Sequence, residues 1–324
     1  MKAKETIFLL FIPFILTLSG CIQDGGDLNN STSPENFTDT TDNITESSTP
    51  NASKTIFVDD YGYSVQINET PDRIVSLSPS NTEILYALGL NDSIVAVTDY
   101  CNYPPEAEDK PTIGGYTTVN VESVISMDPD LVVAAHGNGR QVVETLKRYV
   151  TVYALNPQDL EDVKHNIRVL GEIADKEENA SEITYMMEDK VEEVREEVQE
   201  RENRNVTVAH IIWHDPIWAS GKDTFIDQII SIAGGENVFN FDGFRIVNRE
   251  ELLTKNPEVI IVNGGSGMGN KGEDIIYQEI MTMDNLKAVK KGNVYVINSD
   301  IVSRPSYRLV YALEKVEDFL DKST

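Results

Sequence analysis

Cysteine is scarce in this chain of 324 residues. Only Cys21 and Cys101 occur, so at most one disulfide is available. Histidine is scarce too, at four, and no Cys/His cluster has metal-ligand spacing. Basic residues are few: 27 Lys and Arg face 54 Asp and Glu, a net charge of −27. That balance argues against a nucleic-acid backbone as partner and keeps the protein soluble. Long apolar runs are lacking. The run from Ile7 to Leu18 is short for a membrane span and contains Pro13. Nucleotide fingerprints are missing as well. Gly264 to Gly269 reads G-G-S-G-M-G, without the Walker lysine and without dinucleotide spacing. No nucleophile, base and orienter can be assembled. Ser78, Asp99 and His214 stand as single residues, which do not make a triad.

What is present is a repeat. Asn120 to Val133 reads N-V-E-S-V-I-S-M-D-P-D-L-V-V, and Asn248 to Ile261 reads N-R-E-E-L-L-T-K-N-P-E-V-I-I. Asn120 pairs with Asn248, Glu122 with Glu250, Pro129 with Pro257 and Asp130 with Glu258, at one constant offset. Each copy predicts a short helix opened by an Asn cap, a stop near proline and an aliphatic strand. One supersecondary unit in two halves predicts two similar α/β lobes. A crevice between lobes is a common small-molecule site.

The amino terminus reads as a targeting segment over residues 1–21. Lys2 and Lys4 precede the apolar run, which ends in Leu18-Ser19-Gly20-Cys21. Small residues before that cysteine resemble a lipoprotein signal, which implies lipidation at Cys21. The alternatives are an ordinary cleaved signal or an anchor helix; each leaves the rest of the chain outside the cytoplasm. With Cys21 lipidated, Cys101 has no disulfide partner and reads as a small buried apolar residue. Residues 22–54 are Ser-, Thr- and Asn-rich and predict a disordered tether. Glycan sequons crowd it at Asn29, Asn30, Asn36, Asn43 and Asn51, and others lie at Asn68, Asn91, Asn179 and Asn205.

The first lobe is expected over residues 55–177. A hairpin turns at Asp60-Tyr61-Gly62, and strands then alternate with helices, as in a mostly parallel sheet. Ser80 and Glu83 have capping-box spacing. Residues 178–203 form a helical pattern with one stripe of Ile183, Met187, Val191, Val194 and Val198. Such a helix either bridges the lobes as a rod or packs on one of them. The second lobe is expected over residues 204–324. There Trp213 to Lys222 reads as a loop holding both tryptophans.

Taken in order, several segments carry a likeness. They are Ser76 to Glu83 (S-L-S-P-S-N-T-E), Tyr103-Pro104-Pro105, Asn120 with Glu122, and Pro129 to Val132. Ser220-Gly221-Lys222, Gly234 to Asn237 and Arg249-Glu250 complete them. From about Thr55 to Leu320 the chain resembles the vitamin B12-binding proteins of ABC importers. These belong to the two-lobed, rigid-helix class of binding proteins that also holds siderophore and haem binders.

The resemblance implies two Rossmann-like α/β lobes joined by one long helix, with a ligand cleft between them. It implies a non-catalytic lipoprotein that passes cobalamin or a related cobalt corrinoid to a membrane permease with its cytoplasmic ATPase. No resident cofactor and no protein ligand to a metal follow from it. Carried over by position, the cleft residues are Tyr100, Tyr116, Trp218 and Phe244, with Asp300 and Arg304 after the last strand. Glu122 and Glu250 fall where the family meets permease arginines. The chain departs at Tyr116, where relatives commonly have tryptophan, and at Ala135, where a cleft tryptophan can occur. His136 and His214 are the histidines that could approach a metal, and neither is assigned to one. A siderophore or haem binder is the alternative within this class. An extracytoplasmic enzyme on a related scaffold is the alternative outside it.

Overall fold

The computed structural model describes residues 55–200, 205–264 and 275–323. The targeting segment with Cys21, the tether with its sequons, and Gly265 to Gly269 lie outside the described residues.

The chain opens with an antiparallel hairpin, β1 (Thr55–Val58) and β2 (Ser64–Ile67). Gly62 takes φ +80 in its turn, a conformation that glycine adopts without penalty. There follow β3 (Ile74–Ser76), α1 (Pro79–Ala87), β4 (Ile94–Ala96), α2 (Val121–Ser126) and β5 (Leu131–Ala135). Then come α3 (Arg140–Leu146), β6 (Val152–Leu155), α4 (Leu160–Ile173) and the long α5 (Glu177–Glu200). These strands form a parallel sheet in the order β4-β3-β5-β6.

The second half runs β7 (Val206–His214), β8 (Ile217–Ser220), α6 (Phe225–Ile232), β9 (Gly235–Asn237), β10 (Phe244–Ile246), α7 (Arg249–Lys255) and β11 (Val259–Gly264). It closes with α8 (Ile275–Met281), α9 (Lys287–Lys291), β12 (Val294–Asn298), α10 (Ser299–Ser303) and α11 (Leu309–Lys322). Its sheet is mixed. β9, β7, β11 and β12 pair in parallel, while β8 and β10 add antiparallel at one edge.

The repeated unit folds alike in both halves. Asn120 accepts from the Ser123 N–H, and Asn248 from the Glu251 N–H, so each caps its helix. Two local expectations change. The helix after β3 starts at Pro79, and Ser78 caps it by accepting from the Asn81 N–H. Pro79 suits the first helical position, having no N–H to lose. Glu83 therefore lies too deep in α1 for a capping box. The expected loop at Trp213 to Lys222 is mostly strand, because β7 runs on to His214 and turns through Pro216 into β8. Phe244 begins β10.

Strand parity divides the core. Val75, Val132 and Ala134 face α2 and α3, while Ile74, Leu131 and Val133 face the opposite way. In the second sheet Ala209, Ile260 and Val262 face one side, and Val208, Val259 and Ile261 the other. The latter sets from both sheets belong to one continuous apolar core with α4, α5, α6 and α11. Helix α5 crosses it. Near its start Ala180 lies against Gly171 of α4, where an added Cβ would come within 2.5 Å. Near its end Val198 lies against Gly234, just beyond α6. Residues 51–324 form one compact unit.

Candidate functional site

In a parallel sheet the carboxyl ends of the strands open a crevice where the strand order reverses. Here the chain leaves β3 for β4 on one side and returns to β5 on the other. A cleft of about 360 Å³ lies at that point. Ser80, Asn81 and Ile84 line it from α1. Ala135 ends β5 and His136 follows it, and Asn156, Pro157 and Gln158 follow β6. Asn166 reaches it from α4. Asp223, Thr224, Phe225 and Phe244 come from the second half, with Ser303 and Pro305.

Two buried asparagines tie the strand ends to the backbone around them. Asn81 Nδ2 donates to the carbonyls of Val133 and Ala134, at 3.2 and 3.1 Å. Asn138 Nδ2 donates to the carbonyls of Leu77 and Tyr116, both at 2.8 Å, and its Oδ1 accepts from the Ala135 N–H. Asn138 thus joins β3, β5 and the Tyr116 loop. The Tyr116 hydroxyl accepts from the Gly137 N–H at 3.2 Å. Gly137 is required there, since a Cβ would fall 2.2 Å from the ring. Burial raises the pKa of Tyr116, which stays a neutral phenol at pH 7.

Asn166 is 1% exposed. Its Nδ2 donates to Asp60 Oδ2 at 3.1 Å, which sets the amide's orientation, because a carboxylate oxygen only accepts. The Oδ1 is left buried without a partner among the described residues. A buried unpaired acceptor costs about 1–3 kcal/mol, so it favours an arriving N–H or O–H donor.

The predicted cleft residues separate into groups. Tyr116 and Phe244 line the cleft. Trp218 does not; it lies opposite Ile246 on the face that carries Phe244, just beyond the cleft. Phe244 and Ile246 are both exposed, which makes an apolar shelf there. The Tyr100 ring is exposed, and its carbonyl accepts from Arg304 at 3.4 Å. Asp300 and Arg304 form an ion pair at 3.0 Å outside the cleft lining. Of the two histidines, His136 lines the cleft and meets the Tyr61 ring edge-on, while His214 packs on Trp213 away from it. Glu122 and Glu250 are exposed on α2 and α7, without ion pairs among the described residues. No group of three metal-ligating side chains occurs among the described residues.

Sequence reasoning missed Asn81, Asn138, Asn156, Gln158, Asn166 and Phe225. A search of the residues just after each strand would have found most of them, since that edge builds the crevice. A second hollow of about 390 Å³ lies among α4, α5 and α6. Its charged side chains pair with one another, as in Lys164 with Glu161 and Glu188, so it has little left to offer a ligand.

The fold has known counterparts. A Bacillus subtilis protein named as the ABC transporter substrate-binding lipoprotein YvrC is 30% identical over 270 residues, covering 80% of this chain and 83% of its own. The crystal structure of the periplasmic vitamin B12 binding protein BtuF of Vibrio cholerae superposes with a TM-score of 0.67 at 26% identity. It covers 78% of this chain and 98% of that one. The periplasmic heme-binding protein RhuT from Roseiflexus shares the fold at a TM-score of 0.69 and 21% identity, covering 78% and 99%. The sequence profile of the family described as periplasmic binding protein matches residues 74–301, and the chain belongs to that family.

Proposed function

We propose that this protein is the extracytoplasmic substrate-binding component of an ABC importer, that it captures a corrinoid in the cleft, and that it is not an enzyme. The observation that carries the ligand class is the chemistry of the lining. Asn81, Asn156, Gln158 and Asn166 supply amides, Tyr116, Phe225 and Phe244 supply flat apolar area, and no Lys or Arg lines it among the described residues. A corrin is a flat macrocycle rimmed with neutral amides, which such walls complement. The unpaired Asn166 Oδ1 suits one of its amide N–H groups. Haem carries carboxylates on its rim, and the charged lining residue here is Asp223, which repels them. The cleft is smaller than a corrinoid, so the ligand also rests on the shelf of Phe244, Ile246 and Trp218. Tyr100, Asp300 and Arg304 then stand at its edge.

In the same reading Glu122 and Glu250 dock the loaded protein on the two permease subunits. Their exposure and equivalent placement support this, and arginine forks on the permease are the matching chemistry. A lipid on Cys21 holds the protein to the outer face of the membrane. One observation favours haem as the second reading: His136 lies in the cleft with its ring nitrogens unbonded among the described residues, within reach of a metal-centred ligand.

Calorimetry with cobalamin, cobinamide, haem and a ferric hydroxamate tests the proposal. The corrinoids bind and haem does not compete. A tight haem complex without measurable corrinoid binding overturns it.

A further inference from the structure

Glu83 lies on α1 with no solvent exposure, and its bonds all run to the far end of the chain. One carboxylate oxygen accepts from Arg304 Nη1 at 3.0 Å and from Arg308 Nη1 at 2.9 Å. The other accepts from Ser306 Oγ at 2.5 Å. Both arginine side chains are 12% exposed. Arg304 is spent on this cluster. Its Nη1 also donates to Asn102 Oδ1 at 2.8 Å, and its Nη2 to Asp300 and to the Tyr100 carbonyl. Asn102 Nδ2 in turn donates to Asp300 at 3.3 Å. The Arg308 guanidinium lies 3.7 Å over the Tyr103 ring.

Two guanidinium groups and two carboxylates therefore balance in a nearly dry cluster. Burial raises the Glu83 pKa, while the Ser306 bond and the two arginines lower it. Replacing such a cluster with well-packed apolar side chains is often neutral or stabilising, so stability alone is a weak reason for it. Its strength is geometry, because charged hydrogen bonds fix direction as well as distance. The geometry here concerns the cleft. Glu83 stands on α1 beside Ser80, Asn81 and Ile84, which form one wall. Arg304 stands between Ser303 and Pro305, which form another.

We propose that Glu83 is a positioning residue that clamps the Ser303–Pro305 wall to α1 and so sets the width of the cleft. The proposal rests on the reading of this cleft as the ligand site. It also changes what Asp300 and Arg304 do. With both amino groups of Arg304 occupied, the pair serves the ligand by holding a wall in place.

The test uses the intact protein with spin labels on Ser126→Cys and Thr254→Cys, exposed positions on α2 and α7. Pulsed electron resonance gives the distribution of inter-lobe distances, and calorimetry gives cyanocobalamin affinity. Unsubstituted at Glu83, the protein shows one narrow distribution. Glu83→Gln broadens or shifts it and weakens binding at least tenfold. Because Glu83→Gln strands a buried charge, a second variant combines Glu83→Met with Arg308→Met. That pair keeps the volume and leaves Arg304 balanced by Asp300. A folded double variant with unchanged melting temperature, broadened distances and tenfold weaker binding bears the proposal out. The same double variant with a narrow distribution and full affinity overturns it. If the parent protein binds no corrinoid, the ligand reading fails on its own, and the distance distribution still decides the role of Glu83.

Discussion

His210 offers a test of the burial argument in the second sheet. It lies on β7 and is 2% exposed. Its Nε2 meets Asn263 Oδ1 at 2.9 Å, and its Nδ1 meets Ser220 Oγ at 2.8 Å. An amide oxygen only accepts, so Nε2 carries the hydrogen and Nδ1 accepts from the serine hydroxyl. Burial pushes the imidazole pKa down from 6.5 to about 4, against the Asn263 bond that favours the charged form. In the unfolded chain the ring titrates near its ordinary value. Between these two pH values the unfolded state holds a proton that the folded state refuses. Stability from this group is therefore complete above about pH 6.5 and is lost as the pH falls toward about 4. Over that span, at ~1.36 kcal/mol per pH unit, the loss is about 3 kcal/mol. Urea unfolding of the protein and of His210→Gln at a series of pH values from 7 to 4.5 measures it. The carboxylates titrate in both proteins and cancel in the difference. The advantage of the parent over the variant shrinks steadily as the solution is acidified. A difference that stays constant across the range refutes the reasoning.

Gly137→Ala drives a methyl group into the Tyr116 ring; overpacking of this kind costs about 1–3 kcal/mol. The ring leaves its wall, and calorimetry then shows weaker corrinoid binding; unchanged affinity would mean that Tyr116 is not a contact. Reversing both Glu122 and Glu250 to Arg abolishes uptake in a transport assay while ligand affinity holds. Normal uptake by that variant removes the docking assignment. The shared apolar core under α5 resists hinge motion, because a large hydrophobic interface makes relative movement costly. Small-angle scattering accordingly shows little compaction on adding ligand, and a marked one would sink the rigid-rod reading.

Much of this architecture is local, and local features are legible in the amino-acid order. The caps at Asn120 and Asn248, the aliphatic strands after Pro129 and Pro257, and the apolar stripe of α5 each depend on neighbours within a few residues. The sequence alone therefore determined an α/β chain with a repeated unit and a long helix between the copies. It misplaced what depends on pairing. Trp213 to Lys222 read as loop, yet β7 and β8 pair across Pro216 within it. The three residues of β10 carry no periodic signal, and they are a strand because β8 offers them a free edge. Glu83 read as a helix-capping acid, since its spacing from Ser80 is a property of the helix alone. Its partners Arg304, Ser306 and Arg308 stand more than 220 positions away. No spacing rule reaches that far, because the chain between them sets their distance only once both sheets have packed on one core. The elements follow from the sequence; the cleft, its amide lining and the clamp beside it were decided by the tertiary structure.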